Sequence, residues 1–362
     1  MSNTTESAVP SHLQVPRICP IRTPEGFTPP TKAYCARFSE NTKDVVFSIL
    51  GAQCSTHQQV VAAITKLKAF VVDTPATTDA APSFWEVSSF KDNKDFLNVT
   101  VLAYFPNNES YESWMTTSGF RTWWEALSPL AEPHGWFLEV FSPSADRFET
   151  IFSDDKVVEG TGHMRQGVSG PVKEHVYWGS MRDRLPVSQV DVLEGESKQY
   201  SATAAPGTNT GRVRVPGLKN LTVIRSGQDW SNTLPEERKL YLESMHPVLV
   251  KGMDFLHNQG KEVGCYSCRL MDVVDAETLE ADKDRTFGLG FFHDLGSLEG
   301  WAESHPTHLA IFGGFLKYAQ SLDNNVSLRL FHEVLVLKPE QQLFEYVGCH
   351  KGTGMMAALG QQ

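Results

Sequence analysis

Two histidines in the C-terminal half carry the most specific chemistry in this sequence. In Glu303-Ser304-His305-Pro306-Thr307-His308-Leu309, His308 follows closely on a proline. Proline is at home in the first turn of a helix, where its missing N–H costs nothing. His308 therefore falls in or near that first turn, with Phe312, Phe315 and Ala319 on its face. A lone imidazole on an apolar face reads in two ways. It is a satisfied core histidine, the commoner case, or an axial ligand to a haem iron, which wants one neutral imidazole among apolar side chains. His305 and His308, three apart, could begin a zinc site, but no third ligand stands at a workable spacing. In Leu328-Arg329-Leu330-Phe331-His332-Glu333-Val334, strand alternation puts His332 on the face of Leu328, Leu330 and Val334, expected to be the inward one. A buried imidazole there needs a partner or a purpose. Ser226, in Arg225-Ser226-Gly227-Gln228-Asp229-Trp230, could turn a hydroxyl toward a cavity from a strand end, although a serine after a strand is more often a turn residue.

Other chemistries are poorly supplied. There is no G-x-G-x-x-G loop after a strand, no Walker A sequence, no H-E-x-x-H and no G-x-S-x-G elbow. Gly288-Leu289-Gly290 starts like a nucleotide loop but runs on as strand through Phe291-Phe292. Cys265-Tyr266-Ser267-Cys268 is a single C-x-x-C without the second pair a structural zinc needs, and reads as two thiols near a strand end.

The elements that must position these groups come from a chain of 362 residues with 41% hydrophobic and 21% charged residues, enough to bury a sizeable core. A formal charge of −11 argues against a nucleic-acid partner or a polybasic membrane reader. No apolar run is long enough to span a bilayer, no signal peptide is visible, and six cysteines are too few for a disulfide scaffold; a cytoplasmic setting is expected.

Prolines 16, 20, 24, 29 and 30 mark an extended arm, taken as residues 1–43 of a single domain covering 1–362. Two halves follow, at about 44–150 and 215–340, and they repeat one element order. The first reads as a strand at Asp44–Gly51, a helix at Ser55–Phe70, a strand at Asn98–Phe105, a helix at Tyr111–Leu127 and a strand at Trp136–Phe141. The second reads as a strand at Leu221–Ser226, a helix at Pro235–Gln259, a strand at Thr286–His293, a helix at Leu298–Gln320 broken at Pro306 and a strand at Leu328–Leu337. Leu102 to Trp114 matches Leu289 to Trp301 at a constant offset of 187, and Gly51-Ala52-Gln53 resembles Ser226-Gly227-Gln228. At that offset Arg121 corresponds to His308. This predicts an α+β fold: two ferredoxin-like β-α-β-β-α-β units closing into an α+β barrel with flanking helices. Between the halves, residues 152–214 are rich in glycine and polar residues, with two unusual islands at Glu174–Arg184 and Pro206–Gly211.

Several of these stretches together resemble one family. Glu174-His175-Val176-Tyr177-Trp178-Gly179-Ser180-Met181-Arg182, Ile224 to Trp230, Gly252-Met253-Asp254-Phe255-Leu256, Trp301 to Leu309 and Glu345 to Met355 closely resemble the haem-containing aldoxime dehydratases, with likeness from about His12 to Met355. The resemblance implies a duplicated α+β barrel with a haem cleft, a homodimer, ferrous haem b as cofactor, and conversion of a small aldoxime, R–CH=N–OH, to a nitrile and water. It implies His308 as the iron's axial ligand, His332 as the distal histidine and Ser226 as the hydroxyl that binds the substrate oxygen. It also implies a distal arginine in Met181-Arg182-Asp183-Arg184, where spacing to Ser226 favours Arg184 over Arg182, and Glu149 as an acid supporting that network. On this reading the substrate nitrogen meets the iron, and His332 acts first as an imidazolium acid and then, once neutral, as a base. The loop near Asp323-Asn324-Asn325 is slightly longer than in relatives, and Cys268 departs from the family pattern. The alternatives are a non-enzymatic haem carrier and a haem-dependent oxygenase or peroxidase.

Overall fold

The computed structural model describes residues 5–72, 80–196, 211–281 and 283–359. Most of the Pro206–Gly211 island lies outside them. After the N-terminal arm and β1 (Ala36–Arg37), the first half comprises β2 (Val46–Cys54), α1 (His57–Val72), β3 (Phe84–Lys91), β4 (Leu97–Phe105), α2 (Asn108–Thr117), α3 (Phe120–Ala126) and β5 (Gly135–Phe141). β6 (Phe148–Phe152), β7 (Gly167–Val168), α4 (Ser180–Arg184) and β8 (Arg212–Val215) lead to the second half. That half holds β9 (Leu221–Asp229), α5 (Pro235–Leu240), a π turn at Tyr241–Met245, α6 (His246–Gln259), β10 (Cys265–Val274), β11 (Arg285–Phe292), α7 (Leu295–Ser304), α8 (Pro306–Ser321) and β12 (Arg329–Leu337). β13 (Gln342–Val347) and α9 (Met356–Leu359) follow.

Eleven of these strands form one antiparallel sheet in the order β6-β12-β9-β11-β10-β3-β4-β2-β5-β13-β8. Within each half the fourth, first, third and second strands are neighbours in that order, and β10 joins β3 between the halves. The sheet curls, so that Phe47, Tyr104 and Phe141 of the first half and Phe287, Phe291 and Phe331 of the second meet in one core. It does not close into the expected barrel: β6 and β8 are its two edges, and no described pairing joins them. The fold is a half-barrel. On the other face, α1, α2 and α3 cover the first half and α6 and α7 the second, each over its own apolar cluster.

The helices begin where short polar side chains satisfy free backbone N–H groups. Asn107 accepts from the Ser110 N–H and Asp294 from the Ser297 N–H, both at 2.8 Å, and these caps are again 187 residues apart. The single helix expected at Tyr111–Leu127 is two, because Gly119 takes a left-handed φ of +75° between α2 and α3. Gly51 lies opposite Phe137 and Gly227 opposite Phe331, and a Cβ on either glycine would fall inside the facing ring. Gly51 therefore corresponds to Gly227, and Ser226 to Leu50. The sequence alignment was one residue out, and in a strand one residue exchanges the two faces.

The concave side also buries charge. Arg269 forms two hydrogen bonds to Glu139, at 2.6 and 2.8 Å. A larger group holds Arg225, Arg285 and Arg329 against Glu86, Glu159, Glu333 and Asp229. Four carboxylates face three guanidiniums, and burial together with the neighbouring Glu86 pushes Glu159 up to about 7.

Candidate active site

Ser226 and His332 come from neighbouring central strands. Alternation along β9 turns Arg225 into the core and Ser226 toward the helices; along β12 it does the same with Glu333 and His332. The register sets Gly288, Ser226, His332 and Ile151 in one row across β11, β9, β12 and β6, and Gly290, Ile224, Val334 and Glu149 in the next. The face predicted as inward for His332 is thus the helix-facing one, and the aromatic core lies behind it. Neither the Ser226 hydroxyl nor the His332 ring has a hydrogen-bond partner among the described residues, and neither is sealed from open space.

His308 approaches from α8. His305 precedes that helix, capping it through Thr307 with Pro306 in the first turn, so His308 falls where the proline predicts. Its ring stands 4.8 Å from that of Trp301 and 6.0 Å from that of Trp178. Nδ1 is buried without a hydrogen bond. Burial pushes the pKa of this imidazole down, and the Ala302 carbonyl, short of hydrogen-bond geometry, pulls the other way. A neutral imidazole among aromatic rings, with no polar partner for its nitrogens, is a donor set that fits a haem iron. Among the described residues no cluster of three or more His, Cys, Asp or Glu could hold a metal ion.

Arg184 ends α4, where it donates from Nε and Nη2 to both oxygens of Glu149, at 2.7 and 2.8 Å, and from Nη1 to the Glu174 carbonyl at 3.0 Å. Both partners are buried; burial pushes the Glu149 pKa up and Arg184 pulls it back. Arg182 is held elsewhere, donating to Glu299 on α7 and to the Val192 carbonyl. Behind the Arg184–Glu149 pair, toward the arm, a cavity of about 40 Å³ is lined by Ala8, His12, Cys35 and Thr150 among others.

Three basic side chains lie near enough to act on the protonation of His332. Burial, followed by the charges of Arg184, His308 and His175, holds its pKa at about 3. The imidazolium expected at rest is therefore absent at neutral pH, because protonation there would add charge beside a permanent guanidinium. His175 is the neighbour that sequence reasoning missed. It stands in the Glu174–Arg182 island, its ring meets Thr31 of the arm, and burial with the Arg184 charge lowers its own pKa to about 4.

The C-x-x-C is not a site. A bulge between Cys265 and Ser267 turns both thiols toward the helix-covered cluster, where both are free and buried. Cys268 Sγ contacts Met253 Sδ at 3.9 Å, and burial pushes its pKa up to about 12.

An imidazole on α8 and, near it, a hydroxyl and a second imidazole on the sheet are groups that a haem enzyme could use. Comparison with known proteins makes this specific: the chain belongs to the haem-containing dehydratase family, matching it over residues 48–355. It is 38% identical over 355 residues to the aliphatic aldoxime dehydratase of Rhodococcus erythropolis and 37% identical over 351 residues to that of Pseudomonas chlororaphis, covering 97% of both chains in each case. To the phenylacetaldoxime dehydratase of Bacillus sp. (strain OxB-1) it is 30% identical over 341 residues, 92% of this chain and 93% of the relative. A crystal structure of an aldoxime dehydratase in complex with butyraldoxime superposes with a TM-score of 0.86 at 37% identity, covering 97% of this chain and 96% of that one.

Proposed function

We propose that this chain dehydrates an aldoxime to a nitrile and water, with haem b held by His308 and the substrate lying before Ser226, His332 and Arg184. The carrying observation is the Ser226–His332 pair, without hydrogen-bond partners among the described residues, with His308 and Arg184 near His332. A ferrous iron bound by His308 would supply electron density for breaking the N–O bond of a substrate bound through nitrogen.

The chain's own residues handle the protons. Overall, the carbon-bound hydrogen leaves as a proton and the hydroxyl leaves as water, so one proton passes from carbon to oxygen. His332 is neutral at rest and takes the carbon-bound proton at a ring nitrogen, then delivers it to the departing oxygen. This order reverses acid-then-base, in keeping with a pKa lowered by burial and by Arg184. The Ser226 hydroxyl donates to the oxime oxygen and fixes its direction. Arg184 holds positive charge nearby while Glu149 fixes its guanidinium plane through two hydrogen bonds.

The matching strand order of the halves, the caps 187 residues apart and the two glycine–aromatic pairs support reading residues 44–150 and 215–340 as copies of one ferredoxin-like unit in a single domain, with residues 1–43 as its arm. We read the protein as a homodimer, as the sequence resemblance implies, and six free cysteines suit the reducing cytoplasm. The experiment is anaerobic: the haem-loaded, reduced protein is mixed with butyraldoxime and assayed for nitrile. Nitrile without oxygen supports the dehydratase. No turnover would favour a haem carrier, and turnover only with oxygen or peroxide an oxygenase or peroxidase.

A further inference from the structure

The first half carries a pocket of its own beside the place that corresponds to the candidate haem site. In the row that holds Ser226, His332 and Gly288 in the second half, the first half holds Leu50, Leu138 and Val101. Counted from the first residues of α3 and α8, Thr122 stands where His308 does, with Arg121 beside it. Aliphatic side chains thus replace the hydroxyl and the imidazole that the sheet presents in the second half. A cavity of about 360 Å³ opens one strand further out, between α3, β5, β13 and the edge strand β8.

Its lining has two parts. Met115, Trp124, Leu138 and Leu343 make an apolar floor, and Arg121, Arg212 and Arg214 stand around it with Glu125 and Glu345. The guanidiniums outnumber the lining carboxylates three to two in a chain of net charge −11. Glu345 is largely spoken for: it accepts from Trp124 Nε1 at 2.6 Å and lies 3.6 Å from Arg212. Arg212 is fixed by the Trp124 carbonyl at 2.6 Å and lies over the Trp124 ring. Arg214 is the least committed, 4.0 Å from Glu345 with its side chain 70% exposed, while Arg121 pairs with Glu112 at the surface.

We propose that this pocket is a second ligand site, distinct from the haem cleft, for a small organic carboxylate carried on an aryl or alkyl body. Arg214 and Arg121 take the carboxylate, for which a guanidinium offers two parallel donors. The aliphatic floor and the Trp124 ring take the apolar body, and the volume falls at the small end of ligand pockets. The pair of half-exposed arginines makes binding weaken as salt rises.

The test titrates phenylacetate into the haem-loaded protein by calorimetry while following tryptophan fluorescence and the Soret band. Saturable binding is expected, with a fluorescence change, an unmoved Soret band, and affinity at least about tenfold weaker in the Arg121→Ala/Arg214→Ala double variant, since each tenfold corresponds to about 1.4 kcal/mol. Phenylacetamide, which keeps the body and loses the charge, should bind far more weakly. Absence of saturable binding, equal binding of the amide, equal binding by the double variant, or a shifted Soret band each overturns the proposal. An equally tight response to inorganic phosphate would overturn its apolar half. None of these readouts depends on turnover, so the proposal stands or falls apart from the dehydratase reading.

Discussion

Ser226 and His332 are directly paired across β9 and β12, and both present unsatisfied polar atoms on the face turned toward His308. The pairing fixes their spacing through the sheet and leaves nothing to loop flexibility. Replacing His332 by Ala should therefore leave the haem spectrum in place and lower kcat by about 10²–10⁴, the usual worth of a positioned acid–base group. Ser226→Ala should cost on the order of 10². The double variant should fall well short of the product of the two losses, because the groups act as a unit. Single-turnover nitrile formation measures all three.

A pH profile separates the neutral histidine from a cationic one. With its pKa held at about 3, His332 does not change charge between pH 5 and 8, so kcat should show no limb from it in that range. A kcat limb near pH 6.5 that disappears in His332→Gln would restore the imidazolium acid.

The Arg184–Glu149 pair should behave unlike the Arg182–Glu299 pair, although the two arginines are two residues apart. Removing one partner of a buried pair leaves an uncompensated charge and costs about 3–5 kcal/mol. Arg184→Ala should thus lower the urea midpoint and abolish turnover in the folded fraction. Arg182→Ala should lower the midpoint while the folded fraction keeps its turnover, because Arg182 donates only to Glu299 and the Val192 carbonyl. Equal turnover losses would place both in the site.

How much of this was legible in the sequence depended on local signals. The turn at Pro306 and the alternation around His332 are local, and they placed the start of α8 and the residues that share a face with His332, while which face that is depends on the helices packed against it. β3 and β10 had no such signal. Glu86 and Arg269 stand in them as charges and break the apolar pattern of a strand, and only the folded sheet shows these charges buried against Arg225 and Glu139. What distinguishes Arg184 from Arg182 is likewise a carboxylate far along the chain, Glu149 for one and Glu299 for the other. The pKa of His332 depends on its burial and then on Arg184, His308 and His175, which no spacing rule links to it.

Glu159 gives a prediction for stability. Its pKa rises from the ordinary 4.5 to about 7 through burial and the Glu86 charge. Between those values the folded protein binds a proton that the unfolded chain does not, so stability falls as pH climbs from about 4.5 to 7 and levels off above. The displacement is worth about 3 kcal/mol. Glu159→Gln keeps the site uncharged at every pH. It should unfold at higher urea than the parent at pH 8 and at nearly the same urea at pH 4. A variant destabilised at pH 8 would mean that the carboxylate is held charged by Arg225 and Arg285.

The glycine–aromatic pairs test whether the halves share one device. A Cβ at Gly227 would enter the Phe331 ring, and one at Gly51 the Phe137 ring, both in the same core. Each Gly→Ala substitution should cost about 1–3 kcal/mol by overpacking. The loss should be partly recovered by shortening the opposing ring, in Gly227→Ala/Phe331→Leu and Gly51→Ala/Phe137→Leu, with coupling energies of like sign and size. The functional consequences should differ. Gly227 adjoins Ser226 and Phe331 adjoins His332, so Gly227→Ala should also reduce turnover in the folded protein, whereas Gly51→Ala should alter stability alone. If Gly51→Ala abolished turnover to the same degree, the two halves would not be mechanically separate, and the division of labour between them would have to be redrawn.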